Sequence, residues 1–191
     1  MKLLGSGTSP YVRRTRLLLG DTDYEFASLD IYGADRDELR QHNPALKIPM
    51  LIDGEHSIYD SRVIARYLSE KMGMESLSWA QENQLTLIDA ANDSMVTVAL
   101  SKRSGLDTGN EIDFYALQHE RIARSIDALS EMAADGVFDA WHYPSMCLFC
   151  LVDWAEMRSL FDFSSHHPLL DLRERFADRP MIAETDPRKA L

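Results

Sequence analysis

The kind of secondary structure that the sequence favours changes at Gly73. Before this residue, short runs rich in apolar and aromatic residues alternate with helical segments, whereas only helical segments follow it. A chain of this kind divides into a mixed α/β part and an all-helical part. We therefore predict two domains, residues 1–73 and 79–191, joined by a linker at residues 73–78.

The elements of the first part are predicted in the order strand, helix, strand, helix, hairpin, helix. The pair Asp53-Gly54 predicts the hairpin turn. The predicted strands are residues 2–4, 24–29, 48–52 and 57–59, and the predicted helices begin at Pro10, Asp35 and Asp60-Ser61.

Helical periodicity in the second part predicts four helices, over residues 79–102, 112–134, 145–160 and 169–177. Ser145 is expected to begin the third of these. Leu148 stands where a capping box would place an acidic residue, so this helix start is weakly marked.

The charge balance excludes several classes of partner. The chain has 31 acidic and 20 basic residues, a formal net charge of -11, which opposes a phosphate backbone or an anionic lipid surface. We therefore expect no nucleic acid and no membrane as partner. The N-terminal residues form no apolar stretch long enough for a signal peptide, and no window approaches the run of about 18 apolar residues of a spanning helix. These observations predict a cytoplasmic protein.

Ser9 followed by Pro10 predicts the start of the first helix. Serine is a preferred N-cap, and proline suits the first helical position because its missing N–H has no partner there. Two interpretations stay open. Ser9 either caps the helix only, or it also donates a hydrogen bond to a thiolate at the positive end of the helix dipole, which lowers the pKa of that thiol.

Pro49 lies inside the apolar run Lys47-Ile48-Pro49-Met50, which otherwise has the pattern of a strand. Proline cannot donate to a sheet ladder, so it belongs at an edge or a turn. If the bond before it is cis, the N–H and C=O of Ile48 face outward and can pair with an extended peptide ligand. The alternative is an ordinary edge-strand proline.

Asp60 and Ser61 stand where the hairpin passes into the last helix of the first part. The N–H groups at a helix start can hold a ligand carboxylate, while the Asp60 carboxylate can pair with a ligand ammonium. An amino-acid head group carries both charges. The alternative is a capping pair without a ligand.

Three motifs in one order are more specific than any of them alone. SPYVRR follows the first strand, NPALKIPML stands in the middle of the first part, and YDSRVIARYL comes shortly after it. In order and spacing the chain resembles the glutathione transferase superfamily. Its final stretch, LRERFADRPMIAETDPRKAL, is similar to the last helices of small bacterial members.

The resemblance implies a thioredoxin-like βαβαββα domain that binds glutathione as a co-substrate, followed by a helical bundle. It implies that the cysteinyl sulfur lies near Ser9 and that the backbone of Ile48, before a cis Pro49, pairs with the cysteinyl moiety. It places the γ-glutamyl end on Asp60 and Ser61. A homodimer and a second, small electrophilic substrate are also implied.

Two assignments within this site keep alternatives. Lys47 occupies the position that approaches the glycine carboxylate of glutathione, although a solvated surface lysine explains it equally well. The activating position of the superfamily holds tyrosine, serine or cysteine, and Ser6, Thr8 and Tyr11 stand close to Ser9. Ser9 fits best because Pro10 follows it.

Cys147 and Cys150 form a C-x-x-C pattern, but they lie in the apolar run MCLFCLV with no nearby cation to lower a thiol pKa. We interpret them as buried packing residues and expect no metal, because a zinc site needs further ligands. The aromatic stretch 141–143 is expected to pack against the core, and His166 and His167 are expected in a surface loop.

The leading functional hypothesis is an enzyme in which Ser9 helps to ionise bound glutathione, whose thiolate attacks an electrophilic carbon or a peroxide. One alternative is a non-catalytic member of the same fold that binds a partner protein, as in the stringent starvation protein A group. Another is a glutathione-dependent isomerase of the maleylacetoacetate type. Fold alone does not decide among them.

Overall fold

A mixed four-stranded sheet is the centre of the first part of the chain in the computed structural model, which describes residues 1–190. The strand order is β2-β1-β3-β4. Strand β1 is parallel to β2 and antiparallel to β3, and β4 returns from β3 as an antiparallel hairpin. A parallel pair needs a crossover connection, which α1 supplies. The elements are β1 (Lys2–Gly5), α1 (Pro10–Leu19), β2 (Glu25–Ser28), α2 (Arg36–His42), β3 (Met50–Asp53), β4 (His56–Tyr59) and α3 (Ser61–Lys71).

The two central strands are buried on both faces. Leu3 lies opposite Leu51 and Leu4 opposite Met50, and all four side chains are buried. Because successive side chains alternate across a strand, these pairs cover opposite faces of the sheet. The pair Leu4 and Met50 packs with Leu29, while α1 and α3 pack against each other.

Gly5 lets α1 approach the end of β1 very closely. A Cβ atom on this residue would lie 2.4 Å from Cγ2 of Val12, whose side chain is fully buried. Only a glycine fits at that separation. The contact fixes the turn between β1 and α1, which is the turn that carries Ser9.

Four helices make up the second part. Helix α4 packs against α5 and α6, and α7 packs against α5 and α6. Helix α6 is buried continuously from Tyr143 to Ala155, and it contains Cys147 and Cys150, each 1% exposed and free of a disulfide. The interpretation of these cysteines as packing residues is confirmed. The helices are α4 (Trp79–Arg103), α5 (Asp113–Ala134), α6 (Tyr143–Met157) and α7 (His167–Phe176).

The predicted order of elements is confirmed, and most bounds differ by one to three residues. The predicted start of α6 at Ser145 is wrong, because the helix begins at Tyr143. The N-cap is His142, whose ring Nδ1 accepts the Ser145 N–H at 3.3 Å, while the Ser145 hydroxyl donates to the Ala140 carbonyl at 2.7 Å. A histidine cap was not recognised because serine is the commoner cap.

Two local expectations in the second part have mixed outcomes. Trp141 packs against Phe149 and Phe176, with ring centroids 6.1 Å and 4.7 Å away, as expected of a core aromatic. His167 is the first residue of α7 and so does not lie in a loop. His166 lies just before it, with its Nε2 2.9 Å from Asp127 Oδ1.

Contacts divide the described residues into two compact units. Unit 1 contains residues 1–76 together with residues 177–190, and unit 2 contains Leu77–Phe176. The division predicted from the sequence differs because it assigns everything after residue 79 to the helical part. Residues 177–190 include a short 3₁₀ helix, Pro187–Ala190, and a periodicity argument does not reveal with which unit such a segment packs.

Within residues 1–190, no helix is both long enough and apolar enough to cross a bilayer.

We expect Gly5→Ala to lower the free energy of unfolding by about 1–3 kcal/mol, the usual cost of overpacking a core. The reason is the 2.4 Å approach of the new methyl group to Val12. Urea denaturation measures the effect. In a Val12→Ala background the same substitution should cost less, because the clashing methyl is gone. Equal costs in both backgrounds would contradict the contact as the cause.

Candidate functional site

Ser9 is the N-cap of α1. Its backbone is extended, with φ −84° and ψ 128°, and its Oγ accepts a hydrogen bond from the Val12 N–H at 3.3 Å. A hydroxyl can accept with its lone pairs and donate its own hydrogen at the same time. The hydrogen bond from the Val12 N–H uses only one lone pair of Ser9 Oγ, so the hydroxyl hydrogen can still be donated. Capping the helix and donating to a ligand atom are therefore compatible roles for this side chain.

The other candidates for the activating position make different contacts. Ser6 Oγ lies 3.0 Å from Thr8 Oγ1, and the Thr8 N–H donates to Ser6 Oγ at 3.4 Å. The Tyr11 ring lies beside the guanidinium of Arg14, with 5.1 Å between the ring centroid and Cζ. Ser9 alone among these residues caps α1. Ser9 is therefore the one of these four residues whose side chain belongs to the N-terminus of the helix.

The Ile48–Pro49 peptide bond is cis, as the resemblance implied. Pro49 is buried, Ile48 is half-buried, and β3 begins only at Met50, so the backbone of Ile48 lies outside the strand. Lys47 is exposed. This places one apolar residue and one cation at the entry to β3.

Asn43, which no sequence pattern singled out, holds the loop that leads to this proline. The side chain is fully buried, its Nδ2 donates to the Lys47 carbonyl at 2.7 Å, and its Oδ1 accepts the Ala45 N–H at 2.9 Å. An asparagine before a proline is a turn signal. That signal predicts a turn but not the contact with Lys47.

Asp60 is the N-cap of α3, and its backbone adopts φ 72° and ψ 128°. A positive φ at a residue other than glycine costs on the order of 1–3 kcal/mol and is concentrated at ligand sites. One carboxylate oxygen accepts the Arg62 N–H at 2.8 Å, while the residue itself is exposed. The carboxylate is thus accessible to a cation from solvent.

Ser61 follows Asp60 but is almost completely buried, with 2% of its surface exposed. Its Oγ accepts hydrogen bonds from Arg14, at 3.1 Å from Nε and 2.6 Å from Nη2. Since Arg14 is itself only 3% exposed, this contact joins α1 to α3 inside unit 1. The guanidinium also polarises the Ser61 hydroxyl as a donor.

Arg14 is the residue of this region that sequence reasoning missed. A buried charge is expensive unless it is hydrogen-bonded, so a buried arginine indicates a specific set of acceptors. The only signal in the sequence is the position of Arg14 among the apolar residues of α1. Its partner Ser61 stands 47 residues further along the chain, beyond the range of any local pattern.

The other end of α3 is tied to the β3–β4 hairpin. Asp53 Oδ2 accepts a hydrogen bond from the Tyr67 hydroxyl at 2.7 Å and pairs with the ammonium of Lys71. The Lys71 hydrogen bond, followed by the Tyr67 hydrogen bond, lowers the pKa of the Asp53 carboxyl. Because β4 leads directly into Asp60, these contacts help to hold the start of α3 in place.

Comparison with known proteins agrees with this architecture. Residues 3–76 match the family described as "Glutathione S-transferase, N-terminal domain". The GST-like protein YibF of Escherichia coli K12 is 29% identical over 204 aligned positions that cover 100% of both chains. The chain thus contains a glutathione S-transferase N-terminal domain over residues 3–76.

Solved structures of glutathione S-transferases have the same fold. One from Methylobacillus flagellatus, solved with glutathione bound, has a TM-score of 0.83 at 22% identity, covering 96% of this chain and 98% of its own. One from Methylobacterium radiotolerans, in complex with glutathione sulfonate, has a TM-score of 0.84 at 21% identity, covering 96% and 93%. The predicted thioredoxin-like domain followed by a helical part is confirmed.

The Arg14–Ser61 contact gives a stability prediction that needs no ligand. We expect Arg14→Met and Ser61→Ala each to lower the free energy of unfolding, with a coupling of about 1–2 kcal/mol between them, because each single change leaves a buried polar group without one partner. Urea denaturation of both single variants and the double variant measures this coupling.

The matched control is the same set of variants made with Arg66→Met, a substitution at an exposed arginine of α3, instead of Arg14→Met. Its effect should add to that of Ser61→Ala within about 0.5 kcal/mol. An additive result for Arg14 and Ser61 as well would show that their contact contributes nothing to stability.

Proposed function

We propose that unit 1 binds glutathione and that Ser9 activates its thiol for attack on a small electrophilic molecule or a peroxide. The observation that carries the proposal is the position of Ser9 as the cap of α1, with its hydroxyl hydrogen still able to donate. The glutathione bound to the structure from Methylobacillus flagellatus adds support.

The chemistry begins at the thiol of glutathione. A thiolate near Ser9 is stabilised by the hydroxyl hydrogen and by the N–H groups and dipole of the α1 N-terminus. The thiol pKa falls, its proton passes to solvent, and more of the nucleophile exists at neutral pH. The thiolate then forms a bond to an electrophilic carbon, whose leaving group departs with the electron pair, or to one oxygen of a peroxide, whose O–O bond breaks to give glutathione sulfenic acid and an alkoxide that takes a proton from solvent. Orientation in the site contributes the rest of the acceleration.

The head group of glutathione is assigned to the start of α3. The exposed carboxylate of Asp60 pairs with the γ-glutamyl ammonium, while the Ser61 hydroxyl, polarised by Arg14, donates to the γ-glutamyl carboxylate. In this assignment Ser61 contacts both Arg14 and the ligand, so its burial is compatible with a role in binding.

The middle and far end of glutathione are assigned to the loop before β3. The backbone of Ile48, next to the buried Pro49, pairs with the cysteinyl moiety, and Lys47 approaches the glycine carboxylate. The exposure of Lys47 is consistent with a contact at the rim of the site.

The homodimer and the cytoplasmic location stay predictions from the resemblance and the composition.

Asp60 offers a substitution that separates charge from capping. We expect Asp60→Asn to weaken glutathione binding by about 1.5–3 kcal/mol, the range for a hydrogen bond to a charged group, with little change in stability because asparagine is an equally good N-cap. Asp60→Ala should weaken binding to the same extent and lower stability as well. Calorimetry with glutathione and urea denaturation measure the two effects.

Asp37→Asn, at an exposed aspartate of α2, makes the same charge change elsewhere in unit 1 and should leave the affinity unaltered. If a folded Asp60→Asn variant binds glutathione with wild-type affinity, the proposed pair between Asp60 and the γ-glutamyl ammonium is wrong.

Ser9→Ala tests activation apart from occupancy. The variant should still bind glutathione, but the apparent pKa of the bound thiol should rise by about 1–2 units. The reason is the loss of one hydrogen bond to a charged group, about 1.5–3 kcal/mol, and each pKa unit corresponds to about 1.4 kcal/mol. Turnover near neutral pH should fall in proportion. Thiolate absorbance as a function of pH, with bound and free glutathione compared, measures the shift.

Ser6→Ala and Tyr11→Phe are the matched controls, and both should keep the wild-type thiol pKa. If the thiol pKa shifts in one of these variants and does not shift in Ser9→Ala, that neighbour is the activating residue and Ser9 is not. Glutathione that binds to the wild type without ionising would support the non-catalytic, partner-binding function.

A further inference from the structure

Residues 177–190 return to unit 1 after the last helix of unit 2. We call them the returning segment. They follow α7, which ends at Phe176, and their contacts group them with β1, α1 and the rest of the first part. Nothing in the proposed chemistry uses this segment directly, so its contacts call for an explanation of their own.

Arg13 of α1 is the main anchor of the returning segment. It is 3% exposed, its Nε donates to Thr185 Oγ1 at 3.3 Å, and its Nη2 donates to the Ile182 carbonyl at 3.2 Å. Thr185 is 1% exposed, and its hydroxyl hydrogen goes to the Met181 carbonyl at 2.6 Å. A buried hydroxyl and a backbone carbonyl of the returning segment therefore accept hydrogen bonds from a buried guanidinium about 170 residues away in the sequence.

Asp186 supplies negative charge next to this anchor. Burial opposes its ionisation, but the N–H and guanidinium of Arg188, with a further contribution from the charge of Arg13, lower the pKa of the Asp186 carboxyl overall. The ionised carboxylate offsets part of the cost of burying Arg13. The returning segment thus carries both a neutral acceptor and a counter-charge for α1.

The anchor lies one helical turn from Ser9. The Arg13 N–H donates to the Ser9 carbonyl at 3.0 Å, which is the first backbone hydrogen bond of α1. On the other side of Ser9, a Cβ on Gly7 would lie 2.7 Å from the Cβ of Ala190. The returning segment therefore contacts the chain both before and after the cap residue.

We propose that the returning segment, through Thr185 and Arg13, positions Ser9 for thiol activation. Thr185 contacts neither the thiol nor the cap itself, so it is a positioning residue that acts through Arg13. The inference rests on the proposed function of Ser9. It predicts that loosening the segment lets the first turn of α1 open and misplaces the Ser9 hydroxyl.

Thr185→Val is the test, because it removes the hydroxyl with little change in shape. The amide hydrogens of Ser9 and Arg13, both hydrogen-bonded in the turn, should exchange about tenfold faster without any ligand. The apparent pKa of bound glutathione should rise by about half a unit, roughly a threefold loss of thiolate at neutral pH. Thr185→Ser, which keeps the hydroxyl, should restore both values.

Thr15→Val is the matched control. Thr15 is also a threonine 1% exposed, but its hydroxyl donates within α1, to the Tyr11 carbonyl at 3.1 Å. This variant should leave the thiol pKa unchanged. If Thr185→Val does not fold, Asp186→Asn, at a side chain 30% exposed, should shift the exchange rate and the pKa in the same direction by smaller amounts.

The outcomes separate this inference from the function on which it rests. Wild-type exchange rates at Ser9 and Arg13 in folded Thr185→Val overturn the inference, whatever glutathione does. Faster exchange with an unchanged thiol pKa also overturns it. If wild type does not ionise glutathione, the proposed function fails, and the exchange rates alone then decide whether the segment holds the turn.

Discussion

The burial of two neighbouring guanidinium groups on α1 is the interaction on which unit 1 depends. Arg13 and Arg14 are each 3% exposed, and a buried guanidinium is stable only when acceptors surround it. Because adjacent residues on a helix point in different directions, the two side chains reach different elements. Arg14 holds Ser61 at the start of α3, and Arg13 holds the returning segment. One helix thereby fixes two other parts of the unit.

The elements that carry the candidate site were predictable because their signals are local. Ser9-Pro10 marks a helix start within two residues, and a proline in an apolar run marks a break at Pro49. The contacts that hold these elements were not predictable in the same way. Arg14 and Ser61 are 47 residues apart, and Arg13 and Thr185 are 172 apart, so no periodicity connects them. His142 was missed for a different reason, since its capping role runs against the usual preference for serine.

The conformation of Asp60 restricts which residues can stand at the start of α3. A φ of 72° is tolerated by glycine, asparagine and aspartate far better than by branched or bulky residues. A glycine would satisfy the backbone but would lose both the cap and the charge. Aspartate meets the conformational and capping demands together and adds a negative charge at the start of α3. The backbone conformation and the side-chain contact at this position therefore restrict the residue type together.

The burial of both cysteines leaves the folded chain without a reactive thiol on its surface. Cys147 and Cys150 are each 1% exposed within α6, and the sequence contains no other cysteine. Reagents that alkylate or oxidise thiols react with exposed thiolates and are excluded from such positions. In a mixture with glutathione, the tripeptide thiol is therefore modified while the cysteines of the folded chain are spared. Unfolding of α6 would add two reactive groups for each chain, so alkylation also reports the loss of that helix.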